Sequence, residues 1–260
     1  MAKITVEEKD HILLVGLNRP EKMNAVDPDM YLEIAAALGK LHHENNLRCG
    51  VLFAHGDHFT SGIDMIKWVD IFSGGTYPNL PETSCDPLGF DRDKLLGKPL
   101  VMAVQGICYT IGIELMLAAD IRVASANTRF GQIEVKRGIY PVGGATVRLP
   151  LEVGWGDAMR YLLTGDELTA EEAYRIGLIQ EIVEPGKELE KAVAIAETIS
   201  DQAPLGIQAT LRSARITRFE GPQKAIDRLL PDLKPIMKSE DALEGVQSFI
   251  EKRKANFKGR

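Results

Sequence analysis

An α/β fold with crossover connections is predicted for this 260-residue chain by three features. Short apolar runs of strand length alternate with helical patterns through the first half, which is the signature of strands and helices laid against one sheet. From about Trp155 the texture becomes mostly helical. The composition, 45% hydrophobic and 26% charged, supplies a real core and excludes disorder, collagen and coiled coil as the dominant state. The division expected is a core over residues 1–195 followed by a helical region over 196–260.

The elements follow in order. Ile12 to Leu17 reads as a strand that stops at the turn signal Asn18-Arg19-Pro20. Asp27-Pro28 opens a helix, with Asp27 as its cap and Pro28 at the first helical position. Met30, Ile34, Ala37, Leu38 and Leu41 form the apolar stripe of that helix. Cys49 to Ala54 and Leu100 to Val104 read as buried strands. Between them, residues 73–87 are rich in Gly, Pro, Ser, Thr and Asn, a long loop that either faces a substrate or is a disordered insertion. Residues 106–120 pass from turn to apolar helix, and 121–124 form another strand. Thr169-Ala-Glu-Glu172 has the form of a capping box, with Glu172 reaching back to the cap. Residues 188–202 are amphipathic, and 241–258 read as a basic-tipped helix carrying Val246, Phe249 and Ile250.

Charge and cysteine usage exclude several functions. A net charge of −6 offers no basic face for nucleic acid or an anionic membrane, which leaves small molecules and proteins as partners. The three cysteines, Cys49, Cys85 and Cys108, are scattered and unpaired in sequence, which fits a reducing compartment. The N-terminal residues lack an apolar signal region, no run approaches the ~20 residues that span a bilayer, and the final Phe-Lys-Gly-Arg is no peroxisomal address. A soluble, cytoplasmic protein is expected.

Two glutamates stand in apolar surroundings. Glu114 lies in Ile111-Gly-Ile-Glu-Leu-Met-Leu-Ala-Ala-Asp120, and on a helix it shares a face with Leu117 and Ala118. Burial there disfavours the charged form and raises its pKa. Glu134 sits in Phe130-Gly-Gln-Ile-Glu-Val135. Either carboxylate alone is accounted for by a structural pairing with an arginine or an amide. Two strand-to-helix junctions widen the reading: His58-Phe-Thr-Ser-Gly-Ile-Asp-Met65 and Gln105-Gly-Ile-Cys-Tyr-Thr-Ile-Gly112. Free amides at helix starts bind negative oxygen, and two such junctions converging would build an oxyanion hole.

Taken together, several blocks resemble the crotonase (enoyl-CoA hydratase/isomerase) family. They are Asn18-Arg-Pro-Glu-Lys-Met-Asn-Ala25, Phe59-Thr-Ser-Gly-Ile-Asp64, the run from Gly112 to Ala124, Phe130-Gly-Gln-Ile-Glu134, Pro141-Val-Gly-Gly-Ala-Thr-Val-Arg-Leu149 and Glu251-Lys-Arg-Lys-Ala-Asn-Phe-Lys258. They occur in family order over nearly the whole chain. The resemblance implies a crotonase-like spiral of β–β–α turns with a C-terminal helical trimerisation region, assembled as a homotrimer or a dimer of trimers. It implies an acyl-CoA thioester as partner, held by the amides of Ile63 and Ile111, with no metal and no cofactor. Glu114 would act with the water nucleophile, and Glu134 would supply the proton to the α-carbon. Lys22, Met23 and Ala25, together with Ser61, Gly62, Asp64, Met65 and Ile66, would contact the CoA portion, and Lys252 would reach a CoA phosphate from a neighbouring subunit.

The chain departs from the family pattern in places. Ile111 stands where Gly is common, and a β-branched residue tolerates positive φ poorly, so Ile111 must hold an ordinary backbone conformation. Ile66 and Glu21 replace frequent lysines, and Val142 stands where dienoyl isomerases carry a third acid. His55 and His58 lack a third ligand for a metal, and no Gly-x-Ser-x-Gly elbow is present. Cys108 and Trp155 are read as packing residues, Asp120 and Arg122 as structural pairing or capping groups, and Lys252, Arg253 and Lys254 as either CoA-facing or solvated cations at a helix end. The activity expected is hydration of a 2-enoyl-CoA to a 3-hydroxyacyl-CoA. The alternatives are a Δ3/Δ2-enoyl-CoA isomerase and a non-catalytic acyl-CoA-binding or RNA-associated relative, and the acidic charge speaks against RNA.

Overall fold

The computed structural model describes residues 2–260. The chain runs β1 (Ile4–Lys9), β2 (Ile12–Leu17), α1 (Pro28–His43), β3 (Cys49–Ala54), α2 (Met65–Ser73), β4 (Leu100–Val104), β5 (Ile107–Tyr109), α3 (Ile111–Ala118), β6 (Ile121–Ser125) and β7 (Arg129–Gly131). It continues through α4 (Ala145–Val153), α5 (Trp155–Thr164), β8 (Glu167–Thr169), α6 (Ala170–Arg175), β9 (Glu181–Val183), α7 (Glu188–Ser200), α8 (Pro204–Glu220), α9 (Pro222–Ile236) and α10 (Glu240–Glu251). Among the described residues no helix is long and apolar enough to cross a membrane.

A six-stranded sheet has the order β1-β2-β3-β4-β6-β9, and a smaller sheet has the order β5-β7-β8. Only the β1–β2 pair of the larger sheet is antiparallel. Parallel neighbours need crossovers, and α1, α2 and α3 occur within the connections that supply them. Period-two alternation divides the core between the two sheet faces. Leu13, Val15, Leu17, Leu52, Met102 and Val104 enter one cluster with α1 and α3. Ile12, Cys49, Val51, Val101, Ala103 and Val123 enter the other, under Ala192 and Ala196 of α7. The division expected at residue 195 therefore runs through α7, a continuous helix packed on the sheet.

The apolar strands and caps stand where the sequence places them. Asp27 caps α1 by accepting the Met30 amide at 2.9 Å, and it is also paired with Lys3 at 2.7 Å. Strand β1 went unassigned in the sequence because only Ile4 of its six residues is buried. Thr169 caps α6, accepting the Glu172 amide. The reciprocal half of that capping box is not made: the Glu172 carboxylate turns to Arg175 and Tyr161 instead. The last helix ends at Glu251, not at 258. Lys252 takes a left-handed conformation, and the buried Asp241 carboxylate accepts the Lys258 and Gly259 amides at 2.6 and 2.8 Å, so the tail folds back along the helix. Trp155 does not pack within the chain, being 73% exposed at the start of α5. Arg122 and Asp120 are structural as expected, but each has its own partner, Glu152 for the first and Arg215 for the second.

The long loop between α2 and β4 is built around one side chain. Asp86, nearly buried, accepts the amides of Leu88, Phe90 and Asp91 at 2.9, 2.7 and 3.0 Å and the Tyr31 hydroxyl at 3.0 Å. This fixes the path that carries Tyr77 onto Trp68, Phe72 and Phe90, with ring centroids 5.8–6.0 Å apart. Asp86→Ala leaves several donors unmet at once. We expect it to lower unfolding free energy by about 2–4 kcal/mol in urea titration, with the loop becoming the first segment cut by protease.

Candidate active site

Three chain segments lie side by side where strands β3 and β4 give way to helices α2 and α3. The Phe59 amide donates to Gln105 O, the Thr60 amide to Ile107 O and the Tyr109 amide to Thr60 O, at 2.9–3.0 Å, so the two junctions run as a short parallel pair. On the other side, the Ser61 amide donates to Met23 O, the Val26 amide to Gly62 O and the Asp64 amide to Val26 O, each at 2.9 Å. In this parallel bridge Val26 uses both its backbone groups, which turns the amide of Ile63 away from residue 26. Among the described residues no acceptor meets the Ile63 amide. Ile111 is the first residue of α3, so its amide has no partner within the helix. The two amides singled out by sequence are thus both free donors on adjoining segments.

The positive φ of this junction falls on Thr110 and not on Ile111. Ile111 is helical, as required of a β-branched residue, and Thr110 takes φ 48° and ψ −111°. That conformation costs ~1–3 kcal/mol for a non-glycine residue. Across from it, Gly62 has φ 116°, and a Cβ there would lie 2.5 Å from Thr110 Oγ1, so only glycine fits.

Helix α3 carries Glu114 inward, where the residue is 4% exposed. Its Oε1 accepts the Ala145 amide at 3.3 Å at the start of α4, where the helix dipole favours negative charge. The preceding turn comes so close that a Cβ at Gly143 would sit 2.1 Å from Glu114 Oε2. Burial pushes the Glu114 carboxyl up to about 8 and the Glu134 charge adds to the rise, while the Ala145 and Gly143 amides and Arg148 oppose it. Glu134, on a short 3-10 turn after β7, is 8% exposed and pushed up to about 7 by burial. With its nitrogen turned to that carboxylate, the Gln132 amide donates to both oxygens at 2.8 and 3.0 Å. The Glu134 charge thus makes the Glu114 carboxyl harder to ionise, on top of the burial that both share.

Both acids line one cavity of about 200 Å3, together with Ser61, Ile63, Met65, Thr110 and Ile111. Trp68, Phe72, Tyr77, Ile139, Tyr140 and Val142 supply most of the remaining wall. Of the residues expected in the site, Glu114, Glu134, Ile63, Ile111, Ser61 and Met65 meet here. Lys22, Met23, Ala25, Gly62, Asp64 and Ile66 lie outside the cavity wall, and Lys252 stands at the end of α10. Met23, Gly62 and Asp64 are nevertheless tied into the flanking backbone ladder. Arg19 holds the Ala25 carbonyl at 2.6 Å and lies 3.5 Å from Asp64. Ile66 is 86% exposed.

Sequence reasoning missed Tyr77, Thr110 and the close approach of Gly143. An aromatic residue amid Gly and Pro was the one available sign of Tyr77, which settles the open question of the loop in favour of a wall of the cavity. Cys108 is fully buried and packs against Met116, as expected. His55 and His58 bond to Thr5 and to the Ile107 amide, and no group of three metal-ligating side chains occurs among the described residues.

The family model described as "Enoyl-CoA hydratase/isomerase" matches residues 7–260. The chain is 35% identical to Enoyl-CoA hydratase EchA19 of Mycobacterium tuberculosis over 98% of its length and 96% of that protein's. It is 32% identical to the crotonyl-CoA hydratase of Syntrophomonas wolfei, over 98% and 97%. Among solved structures, a probable enoyl-CoA hydratase/isomerase from Mycobacterium abscessus superposes with a TM-score of 0.97 at 46% identity, covering 100% of this chain and 99% of that one.

Two outcomes follow from this geometry. Gly143→Ala displaces Glu114, and since a misplacement of ~1 Å can cost about 100-fold in rate, we expect a loss of that order in turnover with an unchanged circular dichroism spectrum. Each acid binds its proton more tightly in the folded chain than at its ordinary value of 4.5. Their contribution to stability is therefore intact below about pH 4.5 and is lost as pH rises through about 7 to 8. Glu114→Gln removes the Glu114 share of that loss. Its melting midpoint should exceed wild type by ~3–6 °C at alkaline pH and match it in acid.

Proposed function

The chain belongs to the enoyl-CoA hydratase/isomerase family, and on that footing we propose that it hydrates a 2-enoyl-CoA thioester to the 3-hydroxyacyl-CoA. The observation that carries this reading is the pair of buried acids, raised to about 8 and about 7, facing one cavity with two unpaired amides. Adding water across a conjugated C2=C3 bond requires a base for water, an acid for C2 and donors for the thioester oxygen as it gains charge. Two carboxyls held above the ordinary range can carry one proton between them near neutral pH. The roles that follow use the arrangement with that proton on Glu134 and the charge on Glu114, the less populated of the two given their order. The resemblance gives Glu114 the water and Glu134 the delivery of the proton to C2. The water oxygen bonds to C3, its proton passes to the carboxylate, and the carboxyl releases its own proton to C2. Meanwhile the Ile63 and Ile111 amides take up the negative charge on the thioester oxygen. No metal or redox cofactor enters this scheme. Isomerisation needs a single proton shuttle, so the retention of two acids favours hydration.

The CoA portion is assigned to Lys22, Met23, Ala25, Ser61, Gly62, Asp64, Met65 and Ile66, in and beside the ladder that joins residues 23–26 to 61–64, with Lys252 contributed by a neighbouring copy. Self-association as a trimer or dimer of trimers is supported by large apolar side chains left in water by the single chain. Leu230, Leu243, Phe249 and Ile250 on α9 and α10 are 67–85% exposed, and Val147, Leu151 and Trp155 on α4 and α5 are 66–73% exposed. Large apolar side chains exposed in such number mark surfaces that other chains cover. A cytoplasmic setting agrees with three buried free thiols.

Crotonyl-CoA mixed with the protein should lose its conjugated enoyl absorbance, and Glu114→Gln and Glu134→Gln should each lower the rate by at least ~100-fold. Loss of absorbance from no acyl chain length would end the hydratase reading, whereas conjugation appearing from a 3-enoyl-CoA without net hydration would replace it with isomerisation. The dependence of kcat/KM on pH should be bell-shaped, with limbs near 7 and 8.

A further inference from the structure

Thr110 carries two local costs within the cavity wall. Its backbone occupies a region that a β-branched residue rarely enters. Its hydroxyl is buried, and among the described residues it has no hydrogen-bond partner. Glycine at this position would remove both costs. Such outliers concentrate at functional sites, because the surrounding fold must hold them in place.

The orientation of the side chain is informative. Of its atoms, Oγ1 lies closest to the position a Cβ on Gly62 would take, at 2.5 Å, with Cγ2 at 3.6 Å. The hydroxyl, not the methyl, is therefore pressed against the glycine that precedes Ile63, while the residue itself immediately precedes Ile111. It sits between the carriers of the two free amides and lines the cavity that holds the acids. Because no protein acceptor fixes its hydrogen, the O–H dipole is free to turn toward negative charge arriving between those amides.

We propose that Thr110 is a positioning residue of the oxyanion hole, its hydroxyl dipole adding to the field of the Ile63 and Ile111 amides on the thioester oxygen. The inference rests on the hydratase reading for its substrate. A hydroxyl dipole that turns to face developing charge gains most where that charge is largest, so it acts on the transition state more than on the ground state.

The test compares Thr110→Val, which keeps the shape and removes the hydroxyl, with Thr110→Ser, which keeps the hydroxyl. Crotonyl-CoA hydration by Thr110→Val should fall about tenfold in kcat with KM within about twofold, while Thr110→Ser stays near wild type. Acetoacetyl-CoA bound to the protein provides a second readout, since its enolate absorbs in the near ultraviolet. Enolisation of the bound ligand should require a higher pH in Thr110→Val than in wild type or Thr110→Ser. Thr110→Ala against Thr110→Ser decides the same question if the valine variant does not fold. Equal kcat and equal enolate titration with and without the hydroxyl would overturn the proposal and leave a packing role. The enolate readout needs no turnover, so it still decides the role of Thr110 if wild type hydrates no enoyl-CoA, an outcome that would sink the functional reading alone.

Discussion

Keeping a carboxyl group out of water beside a second one is the constraint on which this molecule depends. Glu114 is nearly enclosed, and its own helix offers it Leu115, Met116 and Leu117 as neighbours. What makes the position tolerable is backbone: the Ala145 amide, the turn at Gly143 and the start of α4 all meet the carboxylate where the helix dipole is favourable. That support is partial by construction. Full satisfaction would return the group to an ordinary acid, and none would force it to stay protonated. The intermediate state, sharpened by Glu134, is one in which a proton can move at neutral pH.

The second requirement is that unpaired amides coexist with an ordered backbone. Residues 58–61 are laced to 105–109 on one side and residues 61–64 to 23–26 on the other, and among the described residues the Ile63 and Ile111 amides meet no acceptor. Orphan donors inside a rigid ladder do not need to reorganise when charge arrives. The positive φ at Gly62 and at Thr110 is the local cost of the sharp turns that precede Ile63 and Ile111.

How much of this was legible in the sequence follows from what residue types encode. Strands β2, β3 and β4 were readable to the residue because uninterrupted apolar runs admit few alternatives, and the Asp27 cap because Asp-Pro before an apolar stripe has one geometric meaning. Glu114 and Glu134 were visible as charges in apolar company. Strand β1 was not, since an exposed edge strand needs no apolar side chains. Glu172 has the spacing of a capping residue, but Arg175 and Tyr161 compete for it and prevail once the fold brings them within reach. The end of α10 was overrun because the Asp241 carboxylate accepts amides that arrive only when the tail folds back. Trp155 reads as core in a sequence, yet it stands 73% exposed at the start of α5. The strain at Thr110 and the contact at Gly143 are relations between distant segments, which no local pattern records.

The turn from Gly138 to Ala145 divides its labour between main chain and side chains. Its main chain supplies the amide and the close approach that seat Glu114, while Ile139, Tyr140 and Val142 line the cavity beside it. Replacing those three side chains would reshape what the cavity accepts without disturbing what seats the acid. Divergence toward new acyl groups therefore has a permissive route in this protein: drift along one short stretch can retune selectivity while proton transfer is inherited intact.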